Sequence, residues 1–125
     1  MKTNRLTQIL AIGIAIMGIV HIAATFSPVI LGKLSPLASS MQQACIYFSL
    51  MCGLLLIVGG VVTSLLSEQV TRHNFLRAPY WVLLSAMAID GVLSVCFMPH
   101  NPCAWVILAL TIGALATYLY AILRC

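Results

Sequence analysis

Hydrophobic residues gather into four runs along the chain, at positions 6–26, 45–66, 79–97 and 103–123, with short polar stretches between them. Each run is about 20 residues long, which at ~1.5 Å rise per residue matches a hydrocarbon core of about 30 Å. Backbone N–H and C=O groups cannot be left open to lipid, so these runs predict membrane-spanning helices and not an open sheet. The expected fold class is an all-α transmembrane four-helix bundle, up-down-up-down, forming a single integral membrane domain over 1–125.

The polar stretches punctuate the runs. Ser27-Pro28 is expected to end the first helix, with Gly32 in a short loop. Ser35-Pro36 has the form of an N-cap followed by proline at the first helical position, which would start the second helix ahead of its apolar run. The most polar stretch, Ser67 to Arg77, reads as the middle loop, and Pro79 as the start of the third helix. Met98 to Pro102 reads as a tight turn, with Asn101 as N-cap of the fourth helix. The first run carries Lys2 and Arg5 ahead of it like a signal peptide, but it is too long for such a segment and lacks a small residue three positions before a cleavage point; an uncleaved span is expected.

Composition strengthens this picture. The chain is 62% hydrophobic and 6% charged, whereas a soluble domain carries about 25% charged residues to face water. Its net charge of +4 comes from six basic residues scattered at span ends; nucleic-acid binders cluster theirs on one face, so no nucleic-acid partner is expected. In a four-span layout Lys2, Arg5, Arg72, Arg77 and Arg124 fall on one side and Lys33 on the other. That five-to-one bias predicts both termini and the middle loop inside. Tyr80, Trp81, Tyr118 and Tyr120 are expected as aromatic anchors at the inner interface, Tyr47 and Trp105 near the outer one.

Small residues recur on single faces: Ala11, Ile14, Gly18, His21 and Thr25 in the first run, Ser49, Cys52, Leu56, Gly60 and Thr63 in the second, Ala109, Gly113 and Ala116 in the fourth. Such faces let membrane helices approach closely and gain packing energy without a hydrophobic driving force.

Chemistry centres on two ionisable side chains inside the runs, His21 and Asp90. Asp90 and Glu68 are the chain's two acids. A carboxylate within a span costs at least ~2.5 kcal/mol on insertion scales, so Asp90 is expected to face the bundle interior and find a polar partner, His21 or Gln43, with Ser94 one turn further on its face. The expected ligand-binding set is therefore His21, Asp90, Gln43 and Ser94, in an outer-leaflet polar pocket. The five cysteines (Cys45, Cys52, Cys96, Cys103, Cys125) form no C-x-x-C and no zinc-finger spacing. Cys45, Cys96, His100 and Cys103 fall near the outer face, and soft ligands of that kind suit Cu(I) or Zn. Their spacing matches no ligand motif, so neither a metal site nor a cofactor is expected.

Gly18-Ile19-Val20-His21, Tyr47-Phe48 followed by Gly53-Leu54-Leu55-Leu56 and Gly59, and Gly91 with Met98-Pro99 occur in an order that resembles the small four-span bacterial membrane proteins grouped as DoxX-like. The resemblance implies a four-helix fold, a small pocket and a bacterial inner membrane, with no settled activity. The leading functional expectation is binding or transport of a small or lipophilic ligand. A membrane enzyme acting on a lipophilic substrate or quinone is a second possibility, and a non-catalytic accessory subunit, as homo-oligomer or in a membrane complex, is a third.

Overall fold

The computed structural model describes residues 2–123, with side chains from Arg5 onward. Met1, Arg124 and Cys125 lie outside the described residues, and with them one of the basic residues expected inside and the fifth cysteine. The helices are α1 (Lys2–Thr25), α2 (Pro28–Leu34), α3 (Ser39–Arg72), α4 (Arg77–Phe97) and α5 (Pro102–Leu123), with a single 3₁₀ turn at Asn74–Leu76. Among the described residues, α1, α3, α4 and α5 are each long and apolar enough to cross a membrane. The protein is thus an all-α, multi-span membrane protein whose four long helices pack as a bundle.

Two connections differ from the sequence expectation. Ser27-Pro28 does end α1, but it also starts α2: the Ser27 hydroxyl accepts a hydrogen bond from the Ile30 N–H, and Pro28 sits at a first-turn position where its missing N–H costs nothing. Gly32 consequently lies inside a short helix and not in a loop. Ser35 does not cap α3. Its hydroxyl turns back and donates to the Gly32 carbonyl, and α3 begins at Ser39 without a side-chain cap. The expected middle loop is mostly helix as well. α3 runs on to Arg72, His73 breaks it in an extended conformation (φ −126°, ψ 107°), and α4 starts at Arg77 with Pro79 in its first turn. Asn101 does cap α5, accepting from the Cys103 N–H at 3.0 Å.

Packing follows the small-residue faces. α1 lies against α3 along Gly18, Gly53 and Gly60. A methyl group at Gly60 would sit 2.5 Å from the Ala11 carbonyl oxygen, and one at Gly18 would sit 2.6 Å from the Gly53 carbonyl oxygen, so the two backbones touch. α1 also packs on α5, where the Thr7 and Thr117 hydroxyls share a 2.9 Å hydrogen bond, and α4 packs on α5 through Gly91 and Thr111. α3 and α4 close the ring, with the least contact of the four seams.

The faces foreseen on α1 and α3 are the ones used: Ala11, Ile14, Gly18, Thr25, Leu56, Gly60 and Thr63 are buried. On α5 the inward face is instead Ala104, Ile107, Thr111, Ala114 and Tyr118, leaving Ala109 and Ala116 exposed. Tyr80 and Tyr118 are not interfacial anchors. They follow the inward register of their helices and meet edge to face at 4.7 Å, the Tyr80 hydroxyl donating to the Thr63 carbonyl and the Tyr118 hydroxyl to that of Arg77. Trp81, Tyr120, Tyr47 and Trp105 remain exposed. The outward surface is otherwise aliphatic, as a lipid-facing surface must be: Leu55, Leu65 and Val82 are each about two-thirds exposed.

Candidate functional site

His21 occupies the last turn-and-a-half of α1, where the α1–α3 approach brings Ser49 within reach. The Ser49 hydroxyl lies 3.1 Å from His21 Nε2 and 2.7 Å from the Thr25 hydroxyl, and Thr25 donates to the His21 carbonyl at 2.9 Å. Each hydroxyl has a single proton, which fixes the direction of the chain. Thr25 spends its proton on the carbonyl, so Ser49 must donate to Thr25. Ser49 then has only lone pairs left, so His21 Nε2 carries a hydrogen and donates to Ser49. The network ties the ends of α1 and α3 together and sets the tautomer of the imidazole.

Ser49→Ala should therefore lower stability by about 1–3 kcal/mol, because it strands a half-buried imidazole N–H and removes the bond that Thr25 accepts, while Thr25 keeps its own bond to the His21 carbonyl. Thermal unfolding in non-ionic detergent checks this. A variant as stable as the wild type would show that the network carries no structural energy.

Asp90 lies on α4, half-buried, facing α3. It lines a lateral groove of about 410 Å³ between α3 and α4 whose other walls include Met51, Cys52, Leu55, Leu83 and Met87. The groove opens toward the surrounding hydrocarbon, since Phe48 and Leu55 on its rim are 69% and 65% exposed. His21 and Asp90 are within electrostatic range of one another. They make no direct hydrogen bond: the imidazole Nε2 is taken by Ser49, and the Asp90 carboxyl has no hydrogen-bond or ion-pair partner among the described residues.

The expected set is thus divided. His21 lines a second cavity, at the Lys33 end of the bundle, and Asp90 lines the lateral groove. Ser94 is half-buried on α4 and lines neither; Gln43 is exposed near the start of α3 and lines neither. Two residues outside that set acquire a place: Ser49, which orients His21, and Cys52, which shares the groove with Asp90. Both lay on the small-residue face of the second run, where a polar atom one turn from another was the available signal. Cys45, Cys52, Cys96 and Cys103 are free thiols. Cys45, Cys96, His100 and Cys103 do not converge, and among the described residues no three His, Cys, Asp or Glu side chains gather into a metal-binding group.

Four apolar crossing helices, with a carboxyl in a lipid-facing groove, define a small multi-span helical membrane protein. Comparison with protein families, with curated proteins and with solved structures finds no match to this chain. The comparisons thus lend no support to the DoxX-like resemblance, and what stands is a small membrane protein with four long apolar helices.

Proposed function

We propose that the protein binds, as a carrier or transport-type protein, a small lipophilic cation that enters the α3–α4 groove sideways from the bilayer. The observation behind this is the Asp90 carboxyl, which has no hydrogen-bond partner among the described residues, with His21 in electrostatic range, and which sits in an otherwise apolar groove. A carboxylate in hydrocarbon is costly unless a counter-charge or donor meets it, and intramembrane acids mark ligand and ion pathways. Apolar walls with one polar anchor are the usual make-up of a small-molecule site. The five-to-one basic bias supports an outer-leaflet position for the Asp90 end of the groove. An accessory subunit would leave its small-residue faces open for a partner; those of α1 and α3 are used within the bundle, while Ala109 and Ala116 of α5 are exposed.

The test uses two ions of the same shape and opposite charge, tetraphenylphosphonium and tetraphenylborate. Equilibrium binding to the protein in non-ionic detergent should favour the cation by at least about tenfold. Binding of the cation should weaken as pH falls, because proton and cation compete for one carboxylate. Equal binding of the two ions would overturn the proposal.

A further inference from the structure

The cavity at the Lys33 end has the opposite character to the lateral groove. It measures about 590 Å³ and is walled by the last turns of α1, by α2, and by the α4–α5 turn. Its one charged lining side chain is Lys33, which is exposed, as is His100; Ser27, Asn101 and His21 also line it. No Asp or Glu lines it. His21 already gives its Nε2–H to Ser49, so Lys33 and His100 are the groups free to meet a ligand. The rest of the wall, including Met17, Val20, Ile30 and Ile107, is apolar and continuous with the lipid-facing surface of α1, where Val20 is exposed.

We propose that this cavity holds an anionic amphiphile, an acidic phospholipid of the adjoining leaflet, with its phosphate at Lys33 and His100 and an acyl chain along α1. The ammonium group of Lys33 supplies the charge, and the His100 ring donates an N–H in either tautomer. A basic residue at the membrane surface attracts acidic headgroups, and this one stands alone on its side of the protein. The apolar wall then selects a phosphate that carries a chain over one that does not.

The measurement is native mass spectrometry of the full chain, delipidated in non-ionic detergent and titrated with phosphatidylglycerol or phosphatidylcholine of the same acyl length. Phosphatidylglycerol should bind about tenfold more tightly. The double variant Lys33→Gln/His100→Gln alters exposed side chains and should fold normally, while its affinity for phosphatidylglycerol falls to that for phosphatidylcholine. Inorganic phosphate at millimolar concentration should not displace the lipid. Asp90→Asn should leave lipid binding unchanged, which separates this site from the lateral groove. Equal affinity for the two lipids, an unaffected double variant, or displacement by free phosphate would each overturn the proposal.

Discussion

Gly60→Leu should prevent assembly of the bundle, and Gly60→Ala should destabilise it by about 1–3 kcal/mol, the usual cost of overpacking a fitted interface. The reason is the surface that the new atoms would meet. A Cβ at position 60 would stand 2.5 Å from the Ala11 carbonyl oxygen and 2.7 Å from the Ala15 amide nitrogen, both backbone atoms of α1. No rotamer change relieves such a contact, so the helices must separate. Separation would also pull Ser49 from His21, because one seam carries both features. Gly32→Ala is the contrasting case. Nothing lies within 4 Å of a Cβ there, and the residue is inside α2, so alanine should be neutral or stabilise by about 0.5–1 kcal/mol. Thermal unfolding in detergent separates the two outcomes; an innocuous Gly60→Leu would show that α1 and α3 do not meet as described.

The second large effect concerns Asp90. Asp90→Asn keeps the shape and hydrogen-bonding ability of the side chain and removes its charge, so the affinity for tetraphenylphosphonium should fall at least about tenfold while the fold stays intact. Asp90→Leu should abolish binding and leave the protein at least as stable as the wild type. The carboxyl has no hydrogen-bond partner to lose among the described residues, and the leucine would complete an apolar wall formed by Leu55, Leu83 and Met87. A residue that fixed helix register would behave in the opposite way, silent as Asn and destabilising as Leu. Marked destabilisation by Leu, with unchanged cation binding in either variant, would remove Asp90 from the site and give it a structural role.

How much of this could be read from the sequence varied with the local signal. The faces of α1 and α3 were legible because glycines and polar residues interrupt an aliphatic background at helical spacing, as in Ala11, Gly18 and Thr25. On α5 alanines at 109 and 116 looked as suitable for packing as Ala104 and Ala114, and the inward face, marked by Thr111 and Tyr118, was misjudged. Ser27-Pro28 carried two meanings, the end of one helix and the start of the next; only the geometry of the Ser27 hydroxyl resolves them. At the site, His21 and Asp90 stood out as ionisable groups inside apolar runs. Their separation into different cavities depends on the rotation of α1 and α4 about their axes, and a difference of one residue in facing direction decides whether two side chains at similar depth meet. Hydrophobic periodicity does not resolve rotation that finely.

The most direct test of the central claim is to locate the cation. A diazirine-bearing tetraphenylphosphonium, bound to the full chain in detergent and photolysed, should label residues 48–62 of α3 and 83–90 of α4, the two walls of the Asp90 groove. Labelling should be suppressed by excess unlabelled tetraphenylphosphonium and lost in Asp90→Asn. Labels gathered instead on 20–33 and 97–103, around the Lys33 cavity, or spread evenly over the lipid-facing surface and indifferent to Asp90→Asn, would contradict the account.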